Sequence, residues 1–170
     1  MIRPDLAKVP PFYMTYVDYV KDEDLMHILE TSNSDALNLI QNIAEERGSF
    51  RYAENKWSIK EVLCHMMDVE RVFAYRALRF SRNDKTPLSS FDENSYAPQS
   101  NAHSRTVSQI ALEMKTLRQS TIDLYRSFST DMLLREGTAS NTTLSVLNLG
   151  FIIPGHETHH CRILTDRYLQ

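Results

Sequence analysis

Apolar side chains recur every three to four positions over four long stretches of the chain, the spacing of one buried face of an α-helix. The first stretch runs from Asp22 or Glu23 to about Glu46, with Leu25, Leu29, Ala36, Leu39, Ile40 and Ile43 on its stripe and Gly48 as terminator. Its centre, Thr31-Ser32-Asn33-Ser34, consists of poor helix formers and predicts a bend or an interruption. The second starts sharply, because Ser58 and Glu61 form a capping box while Trp57 and Val62 occupy the staple positions. Its stripe is Val62, His65 or Met66, Val69, Phe73, Ala77 and Phe80, with Lys60, Glu70, Arg71 and Arg79 mostly on other faces. Thr106 and Gln109 cap the third in the same way, and Val107, Ile110, Met114, Leu117, Thr121, Leu124 or Tyr125, and Phe128 continue it. Leu144, Ser145 and Leu149 open the fourth, whose stripe passes through Ile152 or Ile153, His156, His160 and Ile163. Pro154 removes a backbone hydrogen bond in that helix and predicts a kink just before His156.

The connections carry different signals. Residues 1–21 contain Pro4, Pro10 and Pro11 and predict an extended N-terminal arm whose aromatic residues, Phe12, Tyr13 and Tyr16, pack on the body. Residues 81–103 mix Pro87, Pro98, Asn and Ser with Phe91 and Tyr96, which predicts a long loop between helices two and three. Loops of that length are uncommon unless they cover something, so a lid over a pocket is expected. Asp131 to Glu136 predicts one further helical turn and Gly137 to Asn141 a polar connection. The expectation is an all-α four-helix bundle forming one domain over residues 1–170.

Composition narrows this reading. Four glycines and six prolines leave little material for a turn-rich β architecture. The 19 basic and 22 acidic residues are scattered, so no one-signed stripe exists to attract nucleic acid or an anionic membrane. No uninterrupted apolar stretch is long enough to span a bilayer, and the N-terminal residues lack a signal-peptide core, so a cytoplasmic protein is expected. Cys64 and Cys161 cannot build a disulfide framework and read as small packing residues.

Candidate chemistry is concentrated in Gly155-His156-Glu157-Thr158-His159-His160. Residues four apart share a helix face, so His156 and His160 are spaced to grip one ion. The letters also match H-E-x-x-H, in which the glutamate is a general base. The metalloprotease version takes its third ligand downstream, where the ten residues after His160 include no histidine and Asp166 as the only acid. An upstream ligand such as His65, on the seam of helix two, suits a bundle and gives three neutral imidazoles with an open position. A divalent ion there could activate water or a thiol, with Glu157, about 100° round the helix from His156, either orienting that water as a catalytic base or facing solvent. Asp68 reads as a surface or helix-pair carboxylate, with a hydrogen bond to a ligand imidazole as the alternative, and His159 as an exposed or pocket-edge residue. His27 and His103 read as structural. Tyr75 and Arg76 read as helix-face packing, with contact to an acidic substrate as the alternative.

The segments Lys56-Trp57-Ser58-Ile59-Lys60-Glu61-Val62-Leu63-x-His65, Glu70-Arg71-x-Phe73-Ala74-Tyr75-Arg76-Ala77-Leu78-Arg79-Phe80, Phe91-Asp92-Glu93-x-x-Tyr96 and Gly155-His156-Glu157-x-His159-His160 resemble, in order, the DinB-like (YfiT-like) metal-binding proteins. The likeness runs from Ile2-Arg3-Pro4 almost to the end of the chain. It implies an up-down-down-up bundle, often homodimeric, with His65, His156 and His160 holding a divalent metal such as zinc or nickel. It also implies a small-molecule substrate and a metal-dependent S-transferase or isomerase acting through a metal-activated low-molecular-weight thiol such as bacillithiol or mycothiol. The alternatives are hydrolysis by metal-bound hydroxide and a non-catalytic, metal-stabilised stress-response or binding module. Two residues depart from the family pattern: Cys64 replaces a small residue such as glycine, and Pro154 replaces alanine, which could shift helix four.

Overall fold

The computed structural model describes residues 3–21 and 24–170. Among them, the four long helices are α2 (Leu25–Ile40), α3 (Ile59–Ser81), α5 (Val107–Arg126) and α7 (Val146–Ile163). Short elements intervene: α1 (Pro11–Tyr19), α4 (Glu93–Gln99), α6 (Thr130–Leu133) and a hairpin of β1 (Glu136–Ala139) with β2 (Thr142–Ser145). A π-helical turn, Leu164–Tyr168, extends α7.

Side-chain pairings set the helix directions. Asn33 meets Glu157 while Leu25 lies against Gly150, so α2 and α7 run parallel. Glu30 meets Arg126 while Ser32 meets Arg118, which makes α2 and α5 antiparallel. On the other side, Lys60 sits near Val107, both against Gly48, and Glu70 meets Arg118, so α3 and α5 are parallel. Tyr168 reaches back to Trp57 while His65 meets His156, so α3 and α7 are antiparallel. The bundle is therefore up-down-down-up, with α2 and α3 each packed on both α5 and α7.

The caps form as their sequences dictate. Ser58 with Glu61 and Thr106 with Gln109 make reciprocal boxes, and Ser145 does the same with Asn148. For α2, the expected start at Asp22 or Glu23 lies outside the described residues; Asp24 caps the helix through its carboxylate.

Several expectations are corrected. The N-terminal segment is not extended throughout, because Pro11 occupies the first helical position, where a missing N–H costs nothing, and α1 follows. The α2 helix is unbroken through Thr31-Ser32-Asn33-Ser34. Thr31 and Ser34 donate to carbonyls four residues back, and Ser32 and Asn33 face partners on other helices. Pro154, where a kink is expected, lies inside α7 and does not end the helix, which runs from Val146 to Ile163. The long loop contains α4 and is tied down by a bridge from Leu88 to Ala139. The polar connection after α6 is part of the hairpin, turned by Ser140 and Asn141, which both have positive φ (53° and 59°). Gly137 is needed there because a Cβ would fall 2.1 Å from the Phe80 ring.

Two apolar clusters fill the bundle. One gathers Val17, Leu25, Leu29, Phe73, Phe80, Tyr125, Leu149 and Ile152, and the other Ile40, Ile59, Leu63, Met67, Ile110, Met114 and Leu164. Each long helix contributes buried polar residues where the two clusters meet: Asn33, His65 with Glu70, Arg118, and His156 with Glu157 and His160. A polar layer thus crosses the middle of the bundle, and the histidines belong to it.

Candidate metal centre

Three imidazoles converge where α3 passes α7. His65 is presented by α3 because its position falls on the seam set by Val62 and Val69, while His156 and His160 lie one turn apart on α7. His65 Nε2 lies 3.2 Å from His156 Nε2, and His160 Nε2 lies 3.1 Å from the same atom. The three ligand atoms fall within 4.8 Å of one another, and all three residues are buried.

This arrangement fits a divalent cation better than a set of hydrogen bonds. Each nitrogen pair would need one proton between two lone pairs, and His156 Nε2 would have to satisfy two neighbours at once. Metal–nitrogen bonds of about 2.1 Å, at angles of roughly 90–109°, place ligand nitrogens about 3.0–3.4 Å apart, close to the separations seen. Burial also keeps the rings neutral, as ligation requires. It pushes His65 down to about 4, helped by His159, and drives His156 and His160 well below the ordinary histidine value. His160 Nδ1 is buried without a hydrogen-bond partner among the described residues.

The nitrogens open into a cavity of about 450 Å³. Trp57 packs on His65, with ring centroids 4.7 Å apart, and Tyr16 packs edge-on against both His156 and His159 at 5.4 Å. Tyr16 can approach this closely because Gly155 has no side chain: a Cβ there would lie 2.0 Å from the Tyr16 carbonyl oxygen. Burial, with Glu93 nearby, raises the Tyr16 hydroxyl above its ordinary value, so the group stays a phenol and a donor. Ser90, Phe91 and Glu93 from the long loop form part of the wall, so this loop does cover a pocket.

Glu157 is placed elsewhere. It is 4% exposed, does not line the cavity, and accepts from Asn33 Nδ2 at 3.2 Å and from Arg118 Nη1 at 3.0 Å. Arg118 also grips Glu70 with two parallel bonds of 2.9 and 3.0 Å and donates to the Leu29 carbonyl and Ser32 hydroxyl. Two carboxylates and one guanidinium leave this layer one negative charge beside the three neutral rings, a complement to a cation. Glu70 is therefore buried, contrary to the face assigned from the stripe. Arg118 is hard to pick out in the sequence because the apolar Leu117 beside it competes for the stripe. The signal is present in the spacing, since 107, 110, 114, 118, 121, 122 and 125 are the buried positions of α5.

The remaining candidates are dispersed. Asp68 is half-buried and pairs with Arg71 rather than with an imidazole. His159 lines the cavity and stacks on Tyr19, as a pocket-edge residue should. His103 lies beside Ser49, Ser58 and Glu61 near the start of α3. Cys64 is buried and accepts from Arg105, and burial pushes the Cys161 thiol up to about 12. Tyr75 is exposed, whereas Arg76 is buried and lines the cavity.

Comparison with known proteins agrees with the architecture. The sequence profile of the DinB superfamily matches residues 28–164. YfiT from Bacillus subtilis, described as a probable metal-dependent hydrolase with an unusual four-helix bundle topology, superposes with a TM-score of 0.74. The match covers 84% of this chain and 82% of that one at 15% sequence identity, a level of likeness that bears on fold. No curated protein matches the chain.

Proposed function

Since the chain belongs to the DinB superfamily, we propose that it is a divalent-metal-dependent enzyme of small molecules, with His65, His156 and His160 as the metal ligands. The observation that carries this reading is the convergence of three buried Nε2 atoms in the wall of a half-open cavity. An ion held there would act as a Lewis acid and would lower the pKa of a water or thiol at its open position. The chain's own groups do the rest. Trp57, Tyr16 and Phe91 give the cavity aromatic walls, and the Tyr16 hydroxyl can donate to a polarised substrate oxygen. Arg118 and Asn33 hold Glu157, fixing the rotation of α7 and hence the aim of His156.

Hydrolysis is the first reading, in keeping with the activity ascribed to YfiT. Glu157 is then a positioning residue, because both its oxygens are engaged away from the cavity. Transfer or isomerisation with a low-molecular-weight thiol is the second reading. It is favoured by the absence, among the described residues, of a buried carboxylate lining the cavity, since a thiol ionised by the metal needs no such base. Zinc or nickel as the ion, a homodimer and a cytoplasmic location complete the proposal.

The test is turnover of an ester, amide and phosphoester panel, and separately conjugation of thiols to a model electrophile. Both are measured before and after chelation and with zinc, nickel or manganese restored. Metal-restored hydrolysis without thiol supports the first reading and metal-restored conjugation the second. Activity indifferent to chelation overturns both.

A further inference from the structure

Among the described residues, Arg76 is a buried cation that no carboxylate pairs with. Its side chain lies at the cavity wall and the residue is 2% exposed. Nη2 donates to the Ser89 carbonyl at 3.1 Å and to the Ser140 hydroxyl at 2.9 Å, and the Tyr13 hydroxyl is a further partner. All three are neutral. Phe73 lies under the guanidinium, 5.3 Å from its centre. Among the described residues no carboxylate forms an ion pair with it; Glu93 borders the same cavity but is exposed and unpaired with Arg76. Arginine does not shed its proton, and burying it without a counter-charge is unfavourable unless a ligand supplies one.

Its place along α3 sets what that ligand must look like. His65, Val69, Phe73 and Arg76 all line the cavity. Eleven residues are three turns, so His65 and Arg76 share a helix face about 16 Å apart along the axis. Both side chains lean toward the helix N-terminus, the longer arginine further, so roughly 10–15 Å separates the guanidinium from the His65 ring. Val69 and Phe73 make the floor between the two ends apolar.

We infer that the cavity takes an elongated anionic substrate, its carboxylate or phosphate on Arg76, its apolar middle over Val69 and Phe73, and its reacting group at the three histidines. This rests on the proposed metal site only for the reacting end, and the anion end can be tested separately.

Trp57 is the chain's single tryptophan and lines the cavity, so its fluorescence reports occupancy. The protein as purified and after chelation is titrated with hexanoate, hexyl phosphate and hexanol. Both anions are expected to bind about ten- to a hundredfold more tightly than the alcohol, the range for a hydrogen-bonded charged contact. Arg76→Gln abolishes that preference and Arg76→Lys retains part of it. The stronger of the two anions identifies the substrate's charged group. Equal affinity for anion and alcohol, or a preference unchanged in Arg76→Gln, overturns the inference. If Arg76→Gln does not fold, Arg76→Lys must still weaken the anions relative to hexanol, and an unaltered ratio overturns it. An anion preference that survives chelation upholds the anion end even where metal analysis fails to find an ion at the histidines.

Discussion

Replacing Arg118 with methionine tests the polar layer that holds the site. The guanidinium is 1% exposed and makes five donations: two to Glu70, one to Glu157, one to the Leu29 carbonyl and one to the Ser32 hydroxyl. Arg118→Met keeps a similar apolar stem but leaves the Glu70 and Glu157 carboxylates buried with no cation between them. Breaking a buried ion pair by removing one partner costs about 3–5 kcal/mol, and here a single residue serves two carboxylates. The loss at pH 7 should therefore lie at or above the upper part of that range, read from urea denaturation followed by circular dichroism. The sign of the pH dependence is fixed. Without Arg118 two buried negative charges face no cation, so the penalty is full at neutral pH, where carboxylates are ionised, and shrinks as acid neutralises them. Changing Glu70, Arg118 and Glu157 together to methionine should recover most of the stability, because no buried charge remains. A loss below about 1 kcal/mol for Arg118→Met, or a triple variant no more stable than the single one, would refute the claim that Arg118 neutralises this layer.

Glu157→Gln keeps an acceptor for Arg118, so turnover should fall by less than about tenfold with an unchanged pH profile; a loss near a thousandfold would restore Glu157 as the base. Gly155→Ala forces a methyl onto the Tyr16 carbonyl, so α1 must move; about 2 kcal/mol of stability should be lost and Trp57 emission should shift, whereas a neutral result would deny the close approach. The metal-free protein should weaken as pH falls from about 6.5 toward 4. The unfolded state binds the proton on His65 first, the folded state only near 4, and this residue alone contributes up to about 3 kcal/mol. Denaturation midpoints that stay flat over that window would contradict the burial of neutral rings.

What the chain revealed in advance follows from which forces are local. Capping boxes at Ser58 and Thr106 are contacts within four residues, so the starts of α3 and α5 could be placed from letters alone. The pair His156 and His160 was visible for the same reason, and His65 because an imidazole on an apolar seam is conspicuous. The hairpin was not, since its two four-residue strands are stabilised by Leu88 and by the Phe80 ring under Gly137, both distant in sequence. Nor was α1, where two prolines suggested extended chain although Pro11 suits a first helical position. Thr31-Ser32-Asn33-Ser34 looked like a weakness of α2. It is the price of the polar layer, supplying Ser32 to Arg118 and Asn33 to Glu157. Arg118 itself was hidden by Leu117, whose apolar character competed for the stripe though the geometry favoured 118.

The most direct measurement is the metal content of protein prepared without an affinity tag or added metal, compared among wild type, His65→Ala, His156→Ala and His160→Ala. A three-histidine site predicts one divalent ion per chain in the wild type and a large loss in each variant, including His65→Ala, whose residue is 91 positions from His156 in sequence and 3.2 Å from it in space. Stoichiometric metal in all three variants, or a wild type that takes up no divalent ion when it is supplied, would contradict it.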